Sequence, residues 1–205
     1  MNKLLVLLAG VLLSTSSFAM SGSYGIGTDY MWRGQTQTDH AMAANLGLEQ
    51  NIGEGWYAGI WNSTVELGGE TELESDFYAG YHKEYGEFFV NAEYIAYRYS
   101  GEMGTNFDER IFQVGYNFFT YGKAMAVEDD QLEYEWYNLD LPFISWADVS
   151  LNYGEWEDGV KNKSLKIDWP LTDNLTVGLM AMDTVDDDGV SFTDAEKRIY
   201  EISER

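Results

Sequence analysis

The side chains able to do chemistry in this chain are overwhelmingly carboxylates. Of 205 residues, 35 are Asp or Glu and 12 are Lys or Arg, a net charge of −23, with two His and no Cys. Without cysteine there is no disulfide framework, no thiolate zinc site and no thiol nucleophile. The two imidazoles are poorly placed for hydrolysis. His40 falls in a connection, His82 stands alone beside Lys83 and Glu84, and neither accompanies a Ser in a recognisable nucleophile motif. Acidic pairs abound, but with so many carboxylates chance pairing is expected, so the residues point away from an enzyme and call for no cofactor. The shortage of basic side chains excludes nucleic acid, whose phosphates need a basic stripe. Two acidic runs, Glu128 to Asp130 and Asp183 with Asp186 to Asp188, could carry loosely held Ca²⁺ or Mg²⁺ through oxygen ligands, although Asp186 to Gly189 lacks the twelve-residue EF-hand pattern.

The elements that must position these groups are strands. With 21 Gly, two Pro, seven Trp, 15 Tyr and 10 Phe, the composition is that of a β protein. Twelve segments have period-two character: 22–34, 40–51, 55–66, 72–85, 87–100, 107–119, 121–128, 131–138, 146–156, 162–170, 173–183 and 196–204. In 107–119, Phe112, Val114, Tyr116 and Phe118 oppose Gln113, Gly115 and Asn117; Leu165, Ile167 and Trp169 oppose Lys166 and Asp168. Ala, Met, Leu and Glu give 41–49 and 123–137 some helical character, and the 121–138 hairpin with the 139–145 return is the weakest part of the pattern.

Ahead of these segments, Met1 to Lys3 carries one positive charge, Leu4 to Leu13 is apolar, and Ser17 and Ala19 precede Met20 as small residues. This is the pattern of a secretory signal peptide, residues 1–19, cleaved before Met20. The apolar run is short of the roughly 18 to 20 residues a membrane-spanning helix needs. If the first strand starts on the periplasmic side, the returns near Ile52 to Glu54, Gly86, Thr120, Leu139 to Ser145 and Leu171–Thr172 are mostly tight. The opposite connections, beginning with Gly34 to Asp39, are longer and acidic. Both prolines, Pro142 and Pro170, fall at or beside returns, where a missing N–H costs no ladder bond. Aromatic residues bunch near segment ends, as in Tyr30 with Trp32, Trp56 with Tyr57 and Tyr85 with Phe88 and Phe89. Export, an even strand count, loop asymmetry and aromatic girdles lead to an all-β fold, an antiparallel transmembrane β-barrel of about 12 strands over residues 20–205, surrounded by outer-membrane lipid.

The residues also carry a resemblance. The stretch from Tyr24 to Asp39 resembles the opening motif of the TorF-type porins, matching at Asp29, Tyr30, Trp32, Arg33, Gly34, Gln37 and Thr38. Gly55 to Ser63 resembles that family's second landmark strand, Leu165 to Leu179 its penultimate hairpin, and Asp183 to Asp186 the acidic loop after it, so the likeness spans residues 20–205. It implies an outer-membrane location and a passive pore. One departure stands out. Barrels of this kind usually end on an aromatic residue read by the barrel assembly machinery, whereas this chain ends Ile199 to Arg205 with a charged residue, which predicts less efficient assembly.

With the apolar faces outward, the side chains expected to line the lumen are Asp29, Arg33, Glu49, Asp76, His82, Glu93, Glu109, Asp148, Lys166 and Asp168. Carboxylates dominate this set, so the expected potential is negative and favours cations. Arg33, at the end of the first strand, is expected to clamp Asp29 on the same face. The short outward connections offer no obvious plug. Three readings follow: a cation-preferring porin for ions or small hydrophilic solutes, a closed structural or adhesin-like barrel, and a soluble periplasmic barrel carrying an apolar ligand.

Overall fold

The computed structural model describes residues 20–101, 105–128, 132–186 and 198–200. Twelve antiparallel strands form a closed barrel in which each strand pairs with its chain neighbour. They are β1 (Met20–Gly27), β4 (Ala43–Asn51), β5 (Trp56–Leu67), β6 (Glu70–Tyr85), β7 (Phe88–Tyr99), β8 (Phe107–Tyr116), β9 (Phe119–Ala126), β10 (Tyr134–Asp140), β11 (Asp148–Trp156), β12 (Lys161–Thr172), β13 (Leu175–Val185) and β14 (Arg198–Tyr200). The seam closes where Gly27 of β1 meets Tyr200 of β14. A closed ladder pairs strand edges with one another, which is how a backbone is satisfied where there is no water.

Each expected segment contains one barrel strand, including the two with helical character. There the alternating faces prevail over helix propensity, because a strand in a closed sheet is held on both sides. One boundary is wrong by far more than the others. The first strand stops at Gly27 instead of running to residue 34. Residues 28–42 build a separate two-stranded hairpin, β2 (Met31–Trp32) with β3 (Gln35–Thr36).

The polarity of the barrel is inverted relative to a water-soluble one. Leu46, Leu48, Phe77, Phe112, Val114, Leu151 and Leu165 are exposed on its outer wall, whereas Glu72, Glu74, Asp76, Glu109, Asn162 and Thr184 are buried within. A soluble barrel buries the apolar face; this arrangement suits lipid outside and a polar lumen. It argues against the soluble carrier of an apolar ligand. At one end the strands are joined by tight turns, such as Asn117 with a left-handed φ of 57° between β8 and β9. Asn tolerates that conformation better than most residues. Pro170 sits near the end of β12, where the register with β13 slips between Pro170 and Thr172, an irregularity that accommodates the missing donor.

Inside, aromatic rings lie against glycines on the wall. A Cβ on Gly59 would come within 2.4 Å of the Tyr78 ring, on Gly80 within 2.4 Å of Tyr57 Oη, on Gly122 within 2.1 Å of Trp136 and on Gly154 within 1.8 Å of Tyr134 Oη. The missing side chains let these rings lie close to the sheet, so a narrow barrel keeps space along its axis.

Candidate functional site

The hairpin of residues 28–42 folds into the barrel at the end opposite the tight turns. Its core is Asp29, which is fully buried. The Asp29 carboxylate accepts hydrogen bonds from Thr36 Oγ1 at 2.8 Å and Thr38 Oγ1 at 2.7 Å, and His40 Nδ1 lies 3.0 Å from it. Thr38 Oγ1 also accepts from the Tyr30 backbone N–H at 3.0 Å, and Gln37 N donates to Tyr30 O at 2.7 Å. The tip reverses through Arg33 and Gly34, with φ of 48° and 90°. Gly34 is needed for space as well as conformation, since a Cβ there would lie 2.7 Å from Asn162 Cβ.

Arg33 does not clamp Asp29. Its guanidinium forms a bidentate pair with Glu109 of β8, both contacts at 2.6 Å, in a site where the Glu109 side chain is 2% exposed. Tyr97 Oη donates a further bond to Glu109 at 3.0 Å. The cation lies 4.3 Å from the Trp32 ring centroid, 4.9 Å from Tyr134 and 5.4 Å from Trp156. The expected pairing failed because Asp29 and Arg33 are not on one extended strand; the chain turns between them, and hairpin threonines take the carboxylate. The rest of the tip is held through its backbone. Arg33 O accepts from Trp156 Nε1 at 3.2 Å and Asn162 Nδ2 at 3.1 Å, while Gly34 O accepts from Thr184 Oγ1 at 2.8 Å. On the other side Tyr30 Oη donates to Glu74 at 2.9 Å, and its ring packs edge-on to Trp61 with centroids 5.3 Å apart. Burial and the neighbouring Glu74 carboxylate hold the Tyr30 phenol well above its ordinary pKa, so it stays a donor.

These contacts come from β5, β6, β7, β8, β10, β11, β12 and β13, so the hairpin is braced against most of the wall and fills that half of the lumen. This is the plug that the short connections gave no sign of. Bidentate, charge-assisted and water-excluded, the Arg33–Glu109 pair is its strongest tie.

The half nearer the tight turns is open. A cavity of about 560 Å³ is lined by Glu49, Tyr57, His82, Asn91, Glu93 and Gln113 among others. Tyr57 Oη lies 2.9 Å from both Glu93 and Asn91, and Tyr78 Oη donates to Glu49 at 3.3 Å. A second cavity of about 470 Å³ is lined by Asp140, Pro142, Asp148, Ser150, Lys166 and Asp168, with Lys166 Nζ 3.0 Å from Asp168. Asp76 is buried on β6 and lines neither cavity. The ten expected lumen residues therefore divide: Asp29, Arg33 and Glu109 hold the hairpin, Glu49, His82 and Glu93 line one cavity, and Asp148, Lys166 and Asp168 line the other. Arg33 and Lys166 belong to two separate ion pairs, with Glu109 and Asp168.

Sequence reasoning missed Trp32, Glu74, Tyr134, Trp156, Asn162 and Thr184. The usable signal lay in 28–42 itself: an Asp followed by two alternating threonines around an Arg-Gly reads as an internally bonded turn. The signal peptide, residues 129–130 and 187–188 of the acidic runs, and the terminal residues 201–205 lie outside the described residues. Among the described residues, no group of three acidic or histidine side chains converges as a metal site.

Comparison with solved structures gives barrels. The KdgM porin aligns with TM-score 0.59 at 8% identity, over 89% of this chain and 96% of its own. The KdgM porin in complex with disordered oligogalacturonate aligns with TM-score 0.52 at 9% identity, over 89% and 96%. Outer membrane phospholipase A from Escherichia coli aligns with TM-score 0.47 at 10% identity, over 92% and 99%. At such identities the likeness is one of fold: this is a porin-like barrel. Comparison with curated proteins gives no match. Residues 13–199 match the family described as bacterial protein of unknown function (Gcw_chp), and the chain belongs to that family.

Proposed function

We propose that this protein is a bacterial outer-membrane porin of the TorF type, exported by a signal peptide cleaved before Met20 and inserted by the barrel assembly machinery. It gives passive passage to ions or small hydrophilic solutes and prefers cations. The observation that carries the reading is the open half of the lumen, where Glu49 and Glu93 line the cavity while the basic groups Arg33 and Lys166 are each tied to a carboxylate. A low-dielectric wall focuses that negative field along the axis. The same field makes the lumen unsuited to a polyanion such as the oligogalacturonate bound by the KdgM porin. Loosely held divalent cations at the acidic connections remain part of the proposal.

One observation favours a second reading. The docked hairpin fills the other half of the lumen, which suits a closed structural or ligand-binding barrel. Planar-bilayer recording of refolded mature protein, with folding checked by heat-dependent gel migration, separates the two. Discrete conductance steps with a cation-selective reversal potential are expected; silence from inserted barrels would leave the closed reading.

A further inference from the structure

Around the junction of hairpin and cavity, the donors are already committed. Tyr30 Oη serves Glu74, Tyr97 Oη and the Arg33 guanidinium serve Glu109, Tyr78 Oη serves Glu49, and Tyr57 Oη lies against Glu93. Asp76 is left out. It is 5% exposed, its register neighbours are Trp61 on β5 and Tyr97 on β7, and its Oδ1 is buried with no hydrogen-bond partner, alone in this respect among the described residues. A buried carboxylate oxygen without a donor is expensive, and carboxylates at Glu74, Glu93 and Glu109 add to the cost. Water could fill the place of the donor but would not offset the charge. A cation does both.

We infer that Asp76 is the principal ligand of a cation site inside the barrel, on β6 between Glu74, which holds the hairpin, and Tyr78, whose hydroxyl serves Glu49 at the cavity. The ion it suits is a partly hydrated monovalent one such as K⁺ or Na⁺. Mg²⁺ sheds water reluctantly, Ca²⁺ takes six to eight oxygens, and no three acidic groups converge here to supply them. The site rests on the channel reading and would be its selectivity element. Binding by one carboxylate within a wider negative field is weak enough to release the ion, as conduction requires.

The test uses refolded full-length mature barrel and two readouts. In the bilayer, Asp76→Asn, with Asp76→Ser as a second variant, should lower the K⁺ over Cl⁻ permeability ratio by about threefold or more, because the site's fixed charge is lost. Glu54→Gln in the β4–β5 turn should leave the ratio unchanged. Independently of conduction, Tl⁺ quenching of tryptophan fluorescence should contain a saturable component displaced by K⁺. Trp61→Phe should remove that component, since Trp61 is the register partner of Asp76, and so should either Asp76 variant. Strictly linear quenching in wild type overturns the site, whether Asp76 is protonated or merely hydrated. A conducting, cation-selective barrel whose Asp76 variants match wild type in both readouts overturns the site and leaves the channel standing. Saturable, Asp76-dependent quenching in a silent barrel keeps the site and removes the channel.

Discussion

The two halves of the lumen use the same residue types to opposite ends. Toward the hairpin, the buried carboxylates Asp29, Glu74 and Glu109 are each met by a donor, and a cation faces Glu109 across 2.6 Å. Toward the tight turns, Glu49 and Glu93 receive phenol donors, Tyr78 and Tyr57, and no cation, while Lys166 stands apart on the far wall beside Asp168. The first half is packed because the hairpin brings donors and one guanidinium to its carboxylates and its aromatic rings interlock. The second is a cavity because its rings lie back on glycines and its charges do not cancel. Whether a carboxylate in this barrel supports structure or a potential is therefore decided by the presence of a counter-group, which composition cannot report.

The largest effect is expected from removing that counter-group. Arg33→Ala leaves Glu109 buried without its cation and takes away the stacking that fixes the hairpin tip. Breaking a buried pair on one side costs about 3–5 kcal/mol, a cost that falls on docking of the hairpin, because the barrel's ladders are untouched. Conductance should rise severalfold and become noisier, as the filled half comes to resemble the open one. Arg33→Ala combined with Glu109→Ala should recover part of the lost stability while keeping the larger conductance, which a double-mutant cycle would read as coupling between the two sites. An Arg33→Ala barrel with wild-type conductance would show that the hairpin does not control passage.

A smaller effect sharpens the other side of the comparison. Gly80→Ala puts a Cβ 2.4 Å from Tyr57 Oη and 2.8 Å from the Ala92 carbonyl. The Tyr57 ring has to lift off the wall into the cavity and leave Glu93. Overpacking of this sort costs about 1–3 kcal/mol. Conductance should fall without a change of sign in selectivity, and the temperature at which the barrel loses its heat-resistant gel mobility should drop.

The strands were legible because a barrel wall repeats one rule, apolar outside and polar or small inside, and each hairpin restates it. The ten expected lumen residues were chosen by the same rule. What they do there was not legible. The pair Arg33–Glu109 spans 76 positions of sequence, and Trp156 and Asn162 reach the Arg33 carbonyl from more than 120 positions away. Such contacts depend on an inward fold of residues 28–42 that alternation disguised as a longer first strand. Met31, Trp32 and Arg33 read equally well as the end of β1, and only the bonds from Thr36 and Thr38 to Asp29 distinguish a hairpin from its continuation.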